Sequence, residues 1–331
     1  MNVYAGDNKK MLNMLILEIL KEYTDTEHRL TQQEIIDLLK LNYGAECDRR
    51  SIRNNIRSLK DMGYEIATER GCYLIERDFE NAELRMLIDS VLFSKNLSGA
   101  QAKRLVKKLK GCGNRYFHAK VAHVSNLPEL FHSDNKQVMV ALDTLNDAIE
   151  EKKKVSFIYN CYGTDFKLHP RRDEPYIVNP YHMVANNGRY YLIGNYDKYD
   201  DLSHYRIDRI TSVTMLSEQV KPKKDVREFA GGWSLPKHMA EHIYMYSGDS
   251  VTVKFIADTD LMDELIDWFG RDFHIKKESE NKMLVTLRCN ERAMKYWALQ
   301  YGGHIEIKEP QSLRETVKAT VLDMAKKYGG E

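Results

Sequence analysis

What this chain lacks bounds it first. No run of about 18 apolar residues occurs anywhere in its 331 residues, so no membrane-spanning helix is expected. The N-terminus, Met1-Asn2-Val3-Tyr4-Ala5-Gly6-Asp7, lacks the charged-then-apolar layout of a secretory signal, and the cytoplasm is the expected location. The five cysteines (Cys47, Cys72, Cys112, Cys161, Cys289) are odd in number and far apart, with no C-x-x-C pair. Neither a disulfide framework nor a cysteine-rich zinc site is written in them, and reduced packing residues are the simplest reading. An excess of one charge is also missing. A net charge of +1 rules out binding to nucleic acid by bulk electrostatics, so any such binding must come from a local patch. Phosphate-binding glycine loops, nucleophile elbows and dinucleotide fingerprints are absent. What the chain does have is length and apolar content, 43%, enough for two or three domains with their own cores.

The first seventy-odd residues hold a local patch. Met11, Leu12, Leu15, Ile16, Ile19 and Leu20 recur at three- and four-residue spacing, which predicts a helix from Asn8 to about Tyr23 with one buried stripe. Thr31 with Glu34 three residues on forms a capping box for a second helix, buried through Ile35, Ile36, Leu38 and Leu39, and Gly44 marks the loop after it. Asp48 caps a third helix from Arg49 to about Met62, with Ile52, Ile56 and Leu59 inward. At about 100° per residue, Arg50, Asn54, Arg57 and, nearer the edge, Arg53 fall on the opposite arc. Between Arg49 and Lys60 five residues are basic and none is acidic. Charge on a helix face is usually just a solvated surface. Here, however, arginine forks and an asparagine amide suit guanine and adenine edges in the major groove. Tyr64–Thr68 and Cys72–Ile75 flank Glu69-Arg70-Gly71 as a β-hairpin, so three helices and a hairpin predict a winged helix-turn-helix. Its expected DNA contacts are Arg49, Arg50, Arg53, Asn54, Arg57 and Arg70.

Two further amphipathic helices, Ala82 to Asn96 and Ser98 to Lys110, read as connectors or dimerisation elements. The irregular stretch from Gly111 to Asn135 makes the best domain boundary, and another helix follows from about Lys136 to Lys152. From residue 153 the period changes to short β-type runs. These are Val155 to Tyr162, Asp165 to Pro170, Tyr176 to Ala185, Arg189 to Tyr196, His204 to Ile210 and Ser212 to Met215, with turn chemistry between them. So many short strands in so few residues predict a small barrel.

Within that region, Pro180-Tyr181-His182-Met183, Gly188-Arg189-Tyr190-Tyr191-Leu192-Ile193-Gly194 and Tyr205-Arg206-Ile207-Asp208-Arg209-Ile210 concentrate aromatics, arginines and a histidine. This stretch resembles the WYL domain of bacterial transcription regulators. The Trp of the eponymous triplet is here Tyr190, followed by Tyr191 and Leu192. The resemblance implies an SH3- or Sm-like barrel that binds a regulatory ligand, with nucleotides or nucleic acid, single-stranded DNA in particular, as the ligand class. Tyrosines offer stacking faces and arginines or a histidine hold phosphates, so the expected contacts are Tyr181, His182, Arg189, Tyr191, Arg206 and Arg209, with Tyr159 outside them. Strand alternation makes Tyr190 a packing residue and puts Arg206 and Arg209 on opposite faces unless a bulge intervenes. Arg206 could equally pair with Asp208 or Asp201, and His182 could be a hydrogen-bonded, half-buried histidine.

After the basic run Lys221-Pro222-Lys223-Lys224 the order is β, α, β, β, α, β, α from Ser250 to Tyr328, a ferredoxin-like succession. It resembles the extension often appended to WYL domains, including Trp268-Phe269-Gly270 and Trp297-Ala298-Leu299, and in that role would serve dimerisation or closure over the ligand. His238-Met239-Ala240-Glu241-His242 matches the H-x-x-E-H zinc motif. So short a pattern arises by chance, and a zinc enzyme needs a third ligand on a helix well downstream, where only Asp258, Asp260, Asp263 and Glu264 are available. No metal, cofactor or enzymatic activity is therefore expected.

The expected whole is an α+β multidomain protein. Residues 1–77 form the winged helix-turn-helix, 78–152 a helical connector or dimerisation region, 153–219 the WYL barrel and 220–331 the ferredoxin-like extension. As a homodimer it would bind a double-stranded operator and shift between spacings that fit or miss two half-sites when ligand binds, without contact to a membrane. The alternative is a single-stranded nucleic-acid sensor of damage or phage defence in which the barrel is the main contact.

Overall fold

A computed structural model describes residues 11–120, 135, 137–229 and 232–329, with the side chains of 118–120 excepted. Expectations for Asn8 to Lys10, for most of the stretch between Gly111 and Asn135, and for a helix start at Lys136 lie outside these residues. The chain is mixed α+β and divides into two compact units, 1–134 and 135–331.

In the first unit α1 (Leu12–Tyr23), α2 (Gln32–Tyr43) and α3 (Arg49–Asp61) follow the apolar spacing. The starts of α2 and α3 have a chemical cause. Thr31 accepts from the Glu34 amide while the Glu34 carboxylate accepts from the Thr31 amide, and Asp48 accepts from the Ser51 amide at 2.7 Å. The three helices bury Ile16, Ile19, Leu20, Ile35, Leu39, Ile52, Ile56 and Leu59 in one core. Strands β1 (Ile66–Ala67) and β2 (Tyr73–Leu74) close it as an antiparallel hairpin with Leu74 opposite Ile66, and Leu30 bridges to Cys72. Arg70 and Gly71 turn the hairpin at positive φ (57° and 115°). A Cβ on Gly71 would lie 2.8 Å from that of Arg29, so the tip tolerates no side chain there. Beyond it, α4 (Asn81–Phe93), α5 (Gly99–Lys110) and α6 (Arg115–Lys120) share a small core of Leu84, Ile88, Val106 and Phe117. Helix α6 stands where only irregular chain was expected. Asn114 creates its start by accepting from the Phe117 amide at 2.8 Å.

The second unit opens with α7 (Val138–Glu150), which packs Val138, Ala141, Leu145 and Ala148 on a curled sheet. That sheet contains β3 (Lys153–Tyr162), β4 (Leu168–Pro170), β5 (Tyr176–Asn186), β6 (Arg189–Tyr196), β7 (Leu202–Arg206) and β8 (Ile210–Gln219). Its order is β4-β3-β5-β6-β7, with β8 also paired to β3. The fifth and sixth strands differ from the sequence expectation of His204 to Ile210 and Ser212 to Met215: β7 ends at Arg206, one 3-10 turn spans Ile207–Arg209, and β8 begins at Ile210. The turn replaces strand alternation, so Arg206 and Arg209 are not held to opposite faces. Where β5 and β6 meet, a Cβ on Gly194 would be 2.7 Å from Val178 Cγ1 and 2.8 Å from the Asn179 carbonyl oxygen, so only glycine allows this approach.

The segment after β8 is not a free linker. Val226, Phe229, Trp233, Leu235 and Met239 pack on Tyr181, Val184, Ile193 and Leu202 of the sheet, and α8 (Leu235–Glu241) lies within this cluster. The last layer contains β9 (Ser250–Asp258), α9 (Met262–Phe269), β10 (His274–Lys277), β11 (Lys282–Asn290), α10 (Glu291–Gln300), β12 (Ile305–Glu309) and α11 (Gln311–Tyr328). Its antiparallel sheet has the order β10-β11-β9-β12. Val253, Phe255, Val285, Leu287 and Trp297 fill its core.

Candidate nucleic-acid interface and ligand face

Helix α3 presents Arg49, Arg50, Arg53, Asn54, Arg57 and Lys60 to solvent, opposite the buried Ile52, Ile56 and Leu59. Arg49 donates to Gln33 Oε1 at 3.2 Å. Arg50 stands close enough to Asp48 to help hold that carboxylate below its usual range, a shift caused first by the hydrogen bond from Ser51. Among the described residues, Arg50, Arg53, Arg57 and Lys60 form no ion pair. A groove lined by Thr31, Gln32, Arg53, Arg57, Lys60 and Thr68 runs between the start of α2, α3 and the hairpin, and Arg70 is exposed at the hairpin tip. All six expected DNA contacts therefore lie on one unit, five of them on one exposed helix.

The seven expected ligand contacts divide into two groups. Arg189 donates to Asp208 Oδ2 at 3.0 Å, and Arg206 grips the same carboxylate with two bonds of 3.0 and 2.6 Å. Asp208 is 1% exposed. The 3-10 turn holds it, and Asn135 fixes that turn by donating to the carbonyls of Asp208 and Ile210 at 3.1 and 2.7 Å. Tyr191 lies opposite Arg206 in the β6–β7 register, and burial pushes its phenol up while the neighbouring arginines pull it down. The buried Nε of Arg209 has no hydrogen-bond partner among the described residues. Tyr159 lies beneath this group: it is buried, its hydroxyl accepts from the Arg206 amide at 3.1 Å, and its ring meets Phe157, Tyr176 and Tyr205 edge-on. It supports the arginines from the core.

The other two residues belong to the cluster under the post-sheet segment. Tyr181 is buried, and its hydroxyl donates to the Lys221 carbonyl at 2.7 Å. His182 accepts from Lys223 Nζ at 2.9 Å and stacks on Trp233 with centroids 5.1 Å apart. Burial first, and then the Lys223 charge, lower its pKa. Tyr190, read as a packing residue, is 39% exposed because it stands at the open end of β6 beside the turn. Lys223 and Trp233 were not singled out in the sequence. A polar-aromatic run just past the last strand was the only available signal.

Comparisons with known proteins fit this layout. Residues 140–215 match the family model of the WYL domain and residues 249–325 that of the WCX domain. The chain thus carries a WYL domain followed by a WCX domain. It is 22% identical to a protein of Bacillus subtilis (strain 168) named an uncharacterized HTH-type transcriptional regulator, YobV, over 97% of this chain and 98% of that one. Among solved structures it resembles the proteasome accessory factor B/C (PafBC) of Arthrobacter aurescens, at 16% identity and a TM-score of 0.30, spanning 97% of this chain and about half (49%) of that one. It also resembles a protein described as CRISPR Cas-related, at 16% identity and a TM-score of 0.41, over 98% of this chain and 81% of that one. Neither structural likeness is close enough to carry an argument. Among the described residues no helix is long and apolar enough to cross a membrane.

Proposed function

We propose that this chain, which carries a WYL and a WCX domain, is a DNA-binding transcriptional regulator whose WYL domain binds an anionic ligand and thereby alters operator binding. The observation that carries this reading is the α3 face. A row of exposed arginines and one asparagine on a capped helix, without ion pairs among the described residues to occupy them, is what base reading and phosphate contact require. In this reading 1–77 is a winged helix-turn-helix, with α3 in the major groove and Arg70 of the hairpin tip on the flanking backbone. The name of the Bacillus subtilis relative, similar along nearly its whole length, supports it. Residues 78–152 serve as connector and homodimer contact.

The curled sheet of 153–219 is then an SH3- or Sm-like barrel, and the last layer a ferredoxin-like extension whose strand order and antiparallel pairing suit that name. The ligand face is the group Arg189, Tyr191, Arg206 and Arg209, where the guanidinium groups of Arg189 and Arg206 share one buried carboxylate and, with Arg209 nearby, leave spare donors for a phosphate or an oligonucleotide backbone. The protein is not an enzyme in this account.

The unpartnered Arg209 Nε favours a second reading, in which the barrel is the main nucleic-acid contact and the chain senses single strands. Footprinting on the duplex upstream of the gene separates the two. Protection lost on Arg50→Ala and Arg57→Ala but kept on Arg209→Ala supports the regulator; the reverse supports the single-strand sensor.

A further inference from the structure

The H-x-x-E-H run has a third partner that its sequence neighbourhood does not contain. Helix α8 and the residue that caps its end bring His238 and His242 together, the His242 amide donating to the His238 carbonyl, and β7 supplies His204 from thirty-four residues before His238. His204 Nε2 lies 2.8 Å from His238 Nε2, and one ring nitrogen from each of the three imidazoles falls within 4.8 Å of the others. His238 and His242 are buried, His204 partly so. Among the described residues, the other grouping of this kind is Asp258, Asp260 and His304. It is more exposed, and its Asp258 is already paired with Lys282 and His304.

Three imidazoles gathered at this spacing must keep one another neutral. As they stand, the Trp233 indole donates to His238 Nδ1, so His238 Nε2 carries the hydrogen and donates to His204 Nε2. With that hydrogen moved to Nδ1, three imidazoles so gathered are ligands for a first-row divalent ion of borderline softness, whereas calcium and magnesium would require oxygen donors. The outer contacts suit this use. His242 Nδ1 donates to the Tyr246 carbonyl at 2.8 Å, which leaves Nε2 as the free lone pair, the arrangement usual for a metal-bound histidine. Ser247 Oγ stands 3.5 Å from His204 Nδ1. Tetrahedral Zn–N bonds of about 2.0–2.1 Å separate ligand nitrogens by about 3.4 Å, so His204 and His238 need to part by about 0.6 Å. His238 and His242 also line a cavity of about 500 Å³ with Glu241, Arg288 and Lys237, which leaves room for water or a small anion at a fourth position.

We propose that His204, His238 and His242 form a three-histidine site for Zn2+ or a related divalent transition ion, which fastens α8 to strand β7 of the WYL domain. Two contacts must change for it to fill: the hydrogen bond between His238 and His204 opens, and so does the one from Trp233. The Trp233 indole donates to His238 Nδ1 at 3.2 Å, and that nitrogen carries a hydrogen once Nε2 binds metal. Trp233 therefore turns away on binding, and because it stacks on His182 the change reaches strand β5 of the sheet.

The test titrates the chelator-stripped full chain with cobalt chloride and zinc chloride. It reads cobalt d–d absorption, zinc by equilibrium dialysis, and tryptophan emission. One equivalent per chain is expected, with a change in emission that disappears in Trp233→Phe while the metal still binds. His204→Ala and His238→Ala each weaken binding at least 100-fold, and His304→Ala leaves it unchanged. Should the alanine variants fail to fold, histidine-selective 15N spectra of the unmodified chain decide. Zinc shifting the rings of His204, His238 and His242 together supports the site, whereas shifts confined to other histidines overturn it. The absence of a cobalt spectrum, undiminished binding in His204→Ala, or loss only in His304→Ala would each overturn it as well.

Discussion

Replacing Asp208 by alanine removes the carboxylate on which Arg189 and Arg206 converge. Asp208 is 1% exposed, so the pair belongs to the class in which deleting one partner leaves an uncompensated charge, at a cost of about 3–5 kcal/mol. The arginine side chains retain 26% and 19% of their exposure, and water reaching them recovers part of that loss. About 2–3 kcal/mol should remain. For a unit of this size each kcal/mol shifts the melting temperature by roughly 2–4 °C, so a fall of roughly 4–12 °C is expected. Tryptophan fluorescence is the right probe, since Trp233, Trp268 and Trp297 all lie in the second unit. Asp208→Asn keeps the shape and one acceptor and should lose less. A melting temperature for Asp208→Ala within about 1 °C of the unmodified chain would refute the view that this carboxylate holds the arginine group together.

Three further outcomes follow from particular contacts. Gly194→Ala places a methyl against Val178 and the Asn179 backbone, which cannot yield as a flexible side chain could, and should cost about 1–3 kcal/mol in urea unfolding. Thr31→Ala breaks the capping box of α2 and should lower the stability of the first unit by about 1 kcal/mol, read by circular dichroism, while Thr31→Ser preserves it. Burial raises the Glu228 carboxyl to about 7, with Asp201 and Asp249 adding to the shift and a hydrogen bond from the Leu202 amide opposing it. Between about 4.5 and 7 the folded state then holds more protons than the unfolded one, so this group's contribution to stability falls as pH rises through that window. The buried histidines act in the opposite direction, losing stability as pH falls below about 6.5. Comparing Glu228→Gln with the unmodified chain cancels the histidine contribution. The variant should gain in relative stability from pH 5 to pH 7.5, and a flat difference would refute the burial argument.

The parts of this molecule that were legible in sequence are those where one local rule decides. Helix α3 was readable because Asp48, the i, i+4, i+7 isoleucine-leucine spacing and the arginines all act within four turns. The seven elements after Ser250 were readable because each alternates or repeats cleanly and has turn residues between. What escaped depends on contacts distant in sequence. The 3-10 turn at Ile207–Arg209 is set by Asn135, more than seventy residues away, which binds the carbonyls on either side of Arg209. Tyr159 and Tyr181 resemble stacking residues in composition, yet aromatic neighbours from other strands and the segment after β8 bury them. Strand periodicity tells which residues share a face, not which face a later segment will cover. For the same reason the H-x-x-E-H run was read without His204, since nothing local to either strand or helix shows that β7 and α8 meet.

Whether α3 reads DNA is decided by fluorescence anisotropy on the duplex upstream of the gene. The titration is run at several salt concentrations on the full chain and on the variant with Arg50, Asn54 and Arg57 all replaced by alanine. Each base-edge contact is worth about 1–3 kcal/mol, so the variant should lose at least about 3 kcal/mol, or more than a hundredfold in affinity, and show a shallower salt dependence. Short single-stranded oligonucleotides should shift the affinity of the unmodified chain for the duplex. Affinity unchanged in the triple variant, or binding to the duplex that is weak, unselective and abolished by modest salt, would contradict the account and leave the WYL sheet as the principal nucleic-acid contact.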